Sequence, residues 1–242
     1  MSKKPLNIIH ISRCGGQTVI RTFLENRNEW NKPKNYATPL YFLPKEEKDA
    51  YDWFIIVRNP YTRIIAGYAW CHRYNIQNQN TGDKDYFNQF LVKWITNASR
   101  HLKEQMFVPP DSKYNALYIH DPYTYYHTGE DHFIECYKYI DFNYPMRILR
   151  SEALEEDFNA LLKEYDYTFT LGPTINDLPE KPMSVSDLYP ETIELIQKVY
   201  AKDFELFGYS TDPEKANDVP PPIVFRVPQI PSPLTITFNQ QQ

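Results

Sequence analysis

Residues 7–19 read N-I-I-H-I-S-R-C-G-G-Q-T-V, an apolar run that passes through paired glycines to a hydroxyl residue, and this stretch decides the fold. Ile8, Ile9 and Ile11 are β-branched and suit a buried strand. Beyond the glycines, residues 18–25 carry Val19, Ile20, Phe23 and Leu24 at helical spacing. Gly15 and Gly16 open backbone angles closed to other residues, so successive N–H groups can converge on an anion at the N-terminal end of the helix. The expected unit is a strand, a phosphate-cradling turn and a helix.

The turn is a poor Walker A loop. With Gly16 and Thr18 set on that motif's final glycine and hydroxyl, Gln17 stands where the lysine belongs and Ile11 where the first glycine belongs. An ordinary ATPase or GTPase is thereby disfavoured, and the loop's cation is Arg13, upstream of the glycines. A second stretch, W-F-I-I-V-R-N-P-Y-T-R-I-I-A-G-Y over residues 53–68, reads as another buried strand, ending in Arg58 with Pro60 suited to a helix start. Two strands then deliver two cationic tips.

In these two stretches the chain resembles the P-loop sulfotransferases, particularly the carbohydrate group. There an H-I-P-K-x-G-G-T-S loop grips the 5′-phosphosulfate of the donor and a V-R-D-P-x-x-R-x-x-S-x-Y segment grips its 3′-phosphate. His10, Ile11, Gly15, Gly16, Arg58, Pro60, Arg63 and Tyr68 match as they stand, and Arg13 and Thr18 are conservative replacements. The resemblance continues through H-L-K-E-Q at 101–105, R-I-L-R-S-E-A-L-E-E-D-F at 147–158 and Y-A-K-D-F-E-L-F-G-Y at 200–209. It implies a single α/β P-loop-type domain, a central parallel sheet flanked by helices, over residues 1–211. Residues 212–242, rich in proline, are expected to form a C-terminal arm.

The resemblance further implies 3′-phosphoadenosine-5′-phosphosulfate as sulfate donor, a hydroxyl-bearing acceptor, in the first place a glycan, and no metal. The residues carried over to the donor are Arg13, Cys14, Gly15, Gly16, Gln17, Thr18, Arg58 and Ala66. Arg13 would balance charge on the leaving oxygen. Ala66 stands where the family places a serine that contacts the 3′-phosphate, and Tyr36 where many relatives carry a histidine base. His101 becomes the first candidate base, with Glu46, Glu47 and Glu152 as rivals. Arg147 or Arg150 could join the nucleotide site, and Asn176 and Lys181 lie in a segment that borders the nucleotide in relatives.

Bulk properties narrow the alternatives. Lys and Arg number 26 against 31 Asp and Glu, a net charge of −5, which argues against a general nucleic-acid binder and makes any anion site local. Three cysteines, Cys14, Cys71 and Cys136, do not make a disulfide framework and suit a reducing compartment. No apolar run approaches the roughly 20 residues needed to span a bilayer, and the expectation is a soluble, cytoplasmic protein. Cys14 as nucleophile lacks a Cys/His/Asn pattern. The histidines among the tyrosines of 114–144 lack metal-ligand spacing, and aromatic faces there could hold sugar rings or pack beneath loops. Two other functions stay open from sequence: a nucleotide kinase, which Gln17 argues against, and a non-catalytic nucleotide-binding relative, which Tyr36 keeps alive.

Overall fold

The computed structural model describes residues 3–26, 39–73, 82–105, 130–175 and 183–223, apart from the side chains of 73, 99–105, 130 and 131. Among them three strands, β1 (Leu6–Ile9), β2 (Asp52–Val57) and β3 (Met146–Arg150), form a parallel sheet with β2 in the centre. Ile9 pairs with Ile55, and Val57 pairs with Arg150. All three strands therefore end at the same edge, where ligands of open α/β sheets bind.

The strands are apolar on both faces because helices cover both faces. Leu6, Ile8, Ile9, Trp53, Phe54, Ile55, Ile56 and Val57 are all buried. Helix α1 (Gly16–Glu25) lays Val19, Ile20 and Phe23 on the sheet, while Leu24, read as part of that face, is largely exposed. Phe23 meets Phe158 edge-on at 5.6 Å, and Phe158 belongs to α5 (Leu154–Glu164), which follows β3. Between β1 and β2 a short helix, α2 (Lys45–Ala50), lies on the surface. Helix α3 (Pro60–Arg73) follows β2 and buries Tyr61, Ile64, Ile65 and Tyr68, and α4 (Lys84–Gln105) buries Phe87, Leu91 and Ile95.

The last helix is in two pieces, α6 (Pro190–Val199) and α7 (Ala201–Phe207), and Gly208 ends it at φ 70° as expected. The junction is Tyr200, fully buried, whose hydroxyl donates to the Phe133 carbonyl. A boundary at 211 is not a break in packing. Arg150 donates to the Pro220 carbonyl at 2.7 Å, Tyr61 donates to the Thr211 carbonyl at 2.7 Å, and Ala216 is buried. The first dozen residues of the expected arm, 212–223, thus pack on the domain, and 224–242 lie outside the described residues. No described helix is long and apolar enough to cross a membrane.

Candidate active site

The three strand ends open onto a cavity of about 890 Å³. Residues that follow β1 (His10, Ser12, Arg13, Gly15 to Thr18), β2 (Arg58) and β3 (Ser151, Glu152) line it, joined by Ala66 and Trp70 of α3, His132, and the 171–175 segment. Each strand supplies its share within a few residues of the hydrogen-bonded ladder, so the pieces are fixed by the sheet.

The loop after β1 is bent twice into the left-handed region, at Arg13 (φ 66°) and Gly15 (φ 90°). For arginine that conformation costs about 1–2 kcal/mol, and it persists because its carbonyls are held from outside. Arg63 donates Nε to the Ser12 carbonyl at 3.0 Å, and Arg58 donates Nη1 to the Arg13 carbonyl at 3.2 Å. Two carbonyl oxygens that would repel an anion are thus taken by guanidinium groups. Gly16 has no room for a side chain: a Cβ there would lie 2.2 Å from His10 Nδ1. The His10 ring also meets the Gln17 amide at 3.2 Å, so it braces the turn from beneath.

Thr18 is buried and lines the cavity. Its hydroxyl accepts the Ile175 N–H at 3.2 Å, which leaves the hydroxyl hydrogen for donation. Thr22, one turn on, accepts the Gly172 N–H at 3.0 Å, so the 171–175 wall is stitched to α1.

A model of the sulfotransferase family matches residues 3–210. The chain belongs to the sulfotransferase family. No curated protein and no solved structure matches it. The members of this family are enzymes that draw the sulfuryl group from 3′-phosphoadenosine-5′-phosphosulfate, and the cavity's chemistry fits that donor. Arg13, Arg58, Thr18 and the glycine turn form a donor-rich set for a nucleotide with two separated anionic groups, and Leu154, Leu171 and Ile175 add apolar surface.

Of the sequence-predicted residues, the sulfotransferase brings Arg13, Gly15, Gly16, Gln17, Thr18, Arg58 and Ala66 to this cavity. Cys14 keeps its place in the loop, but its side chain is fully buried in the core, with Sγ directed to the Ser12 carbonyl at 3.7 Å, so it would serve the loop through its backbone. Arg150 and Arg147 are corrected. Arg150 forms a bidentate pair with Asp157, Arg147 pairs with Glu164 at the surface, and neither lines the cavity. Glu152 lines it, yet one of its oxygens accepts the Asn59 N–H at 2.8 Å and the other the Tyr209 hydroxyl at 2.9 Å, which makes it a structural strut. Glu46 and Glu47 sit on α2, away from the cavity. His101 falls within α4, but its side chain is outside the described set, as are Tyr36, Asn176 and Lys181 altogether.

Two residues gain roles that sequence reading did not give them. Arg63, matched only as a motif letter, is fully buried and reaches both the Ser12 and the Ile134 carbonyls. His132 lines the cavity 3 % exposed, its ring 4.5 Å from that of Trp70. Burial, then the positive charge of Arg13 and Arg63 and the neighbouring His10, pulls its imidazole down to about 3. It is therefore neutral at physiological pH. No periodicity marks the G-E-D-H-F-I-E-C segment, and the only signal available was a histidine near motifs of one site.

Proposed function

We propose that this sulfotransferase transfers the sulfuryl group to a hydroxyl of a carbohydrate or a related acceptor, and that it works in the cytoplasm. The observation that carries the reading is the convergence of Arg13 and Arg58 on one cavity around the glycine turn, with Arg58 bonded to the Arg13 carbonyl. Arg13, Thr18 and the Gly15–Gly16 turn would hold the 5′ end of the donor, and Arg58 the 3′-phosphate, beside the α3 face that carries Ala66. Leu154 and the 171–175 wall would take the adenosine. The donor, when bound, supplies an activated sulfuryl group on a good leaving group.

The chain's own residues do the rest. Arg13 offers fixed positive charge where negative charge grows, and it is held ready by the loop rather than reorganised during reaction. Arg63 and Arg58 keep the loop carbonyls turned from the anion. Trp70 presents an aromatic surface at the cavity wall, and such surfaces suit the apolar face of a sugar ring. Cys14, Cys71 and Cys136 form no disulfide, which suits a reducing compartment.

The test is transfer of radiolabelled sulfate from the donor to a panel of glycans and small alcohols. Label on glycan hydroxyls is expected. Label confined to non-sugar alcohols would overturn the carbohydrate assignment.

A further inference from the structure

We propose that His132 takes the acceptor proton during transfer, and that Arg63 holds it in register with the donor loop. The inference rests on the reading that a hydroxyl acceptor enters this cavity.

Three ties fix the segment that carries His132. The Phe133 carbonyl accepts the Tyr200 hydroxyl, and the Ile134 carbonyl accepts Arg63 Nη1. The N–H groups of Cys136 and Tyr137 both donate to Asp203, at 2.8 and 2.9 Å. Arg63 is the informative member, because the same guanidinium donates Nε to the Ser12 carbonyl of the donor loop. One rigid, planar group therefore sets the distance between the loop that grips the donor and the segment that presents the imidazole. A side chain placed only to fill space would not need that shared brace. Gly67 provides the clearance, since a Cβ there would crowd the His132 Cβ and the Phe133 ring, each at 3.3 Å. Trp70 then backs the imidazole from the same helix.

The chemistry needs a neutral base, and His132 is held neutral. In the transfer the acceptor O–H bond breaks and its proton passes to the imidazole. The acceptor oxygen forms the new bond to sulfur, and the sulfur–oxygen bond to the 5′-phosphate breaks, its electron pair leaving with adenosine 3′,5′-bisphosphate. Among described residues the other carboxylate or imidazole groups on the cavity are Glu152, already doubly bonded, His10, which braces the turn, and Glu155, on the α5 wall with Leu154, which packs against Gly15.

The groups that act on His132 are Arg13 and His10 from the loop and Arg63 from α3. Helix α4 turns Phe90 and Trp94 toward the adjoining Phe133. Burial leads the lowering of the imidazole, and an anionic nucleotide on Arg13 would oppose only the part that comes from positive charge.

The experiment has two arms. Calorimetry of adenosine 3′,5′-bisphosphate binding near pH 6, in buffers of different ionisation enthalpy, reads proton uptake by the wild-type protein. Uptake is expected, and its absence overturns the inference whatever the acceptor proves to be. His132→Gln, with His132→Asn as the second variant, should abolish that uptake while nucleotide affinity stays within about threefold, and should lower turnover by about 100-fold or more. Persistent uptake in a folded variant, or wild-type turnover in His132→Gln alongside lost turnover in His101→Ala, would place the base elsewhere. Failure of the wild type to label any hydroxyl would instead overturn the acceptor reading.

Discussion

Gly16→Ala sets two local effects against each other. Alanine is the better helix former, and the gain in a helix interior is about 1 kcal/mol, less at the first helical residue. Against it stands the His10 ring, whose Nδ1 and Cε1 would lie 2.2 and 2.9 Å from the new methyl group. Those atoms belong to a ring, not to the tip of a flexible chain, so the whole imidazole must rotate. Rotation forfeits the Gln17 contact, worth about 1 kcal/mol, and drives the ring off its rotamer at roughly 0.5–1.5 kcal/mol. Overpacking then prevails by roughly 1 kcal/mol or more, which for a domain of this size lowers Tm by about 2–4 °C per kcal/mol. His10 is 5 % exposed and lines the cavity, so the displaced ring moves to where the donor's 5′ end belongs. Affinity for adenosine 3′,5′-bisphosphate should fall about tenfold, equivalent to about 1.4 kcal/mol. Differential scanning and titration calorimetry measure both effects. The double variant His10→Ala/Gly16→Ala removes the clash and should recover much of the Tm. Unchanged Tm and affinity in Gly16→Ala alone would refute the account of how the loop is braced.

Arg58→Ala should weaken the 3′-phosphorylated nucleotide more than the nucleotide without that phosphate, and equal losses in competition binding would show that Arg58 does not read the 3′-phosphate. Ala66→Ser places a hydroxyl on the cavity wall; a hydrogen bond to a charged group contributes about 1.5–3 kcal/mol, so affinity for the 3′-phosphorylated form alone should rise about tenfold or more by calorimetry. For His132 the folded value of about 3 lies below the ordinary 6.5, so its contribution to stability is complete above pH 6.5 and is lost as pH falls toward 3. His132→Gln should therefore flatten the acid limb of a Tm-against-pH curve. Asp203 runs the other way. Burial, opposed by its two backbone donors, raises it from 3.8 to about 6, and its contribution is lost as pH rises through that window, so Asp203→Asn should steepen the net acid loss. Truncation after 211 removes the Pro220 acceptor of buried Arg150 and should cost about 1–3 kcal/mol in denaturant unfolding, whereas truncation after 223 preserves that contact.

The donor side was legible because each of its parts is local. A β-branched run, two glycines and a helical apolar face lie within one short stretch, and the cations lie close behind their strands, Arg58 directly after β2 and Arg13 four residues after β1. What stayed hidden depends on partners distant in sequence. Cys14 sits in the loop, yet the double left-handed bend at Arg13 and Gly15 turns its side chain inward. Glu152 carries the carboxylate a base needs and Arg150 the charge a phosphate site needs, but their bonds to Asn59, Tyr209, Asp157 and Pro220 come from chain segments that no spacing rule links to them. His132 lies in a segment without helical or alternating period, so its place depends on Arg63, Tyr200 and Asp203, up to about seventy residues away in the chain. The fold class followed from patterns, whereas the acceptor side needed the tertiary contacts.

The shared guanidinium of Arg63 makes the two halves of the cavity inherit change together. A mutation that shifts the donor loop carries its Ser12 carbonyl against Arg63, and the Ile134 end of the same group moves with it. Divergence in this lineage is therefore easiest where that linkage does not reach. The wall at 171–175 hangs on two threonines of α1, and the Trp70 ring stands at the far end of α3 from the strand tip. Both can be remodelled without resetting the distance between donor loop and imidazole. Substitutions in the wall should tune the fit of the donor and substitutions around Trp70 the choice of acceptor, with the spacing of the reacting groups carried forward unaltered.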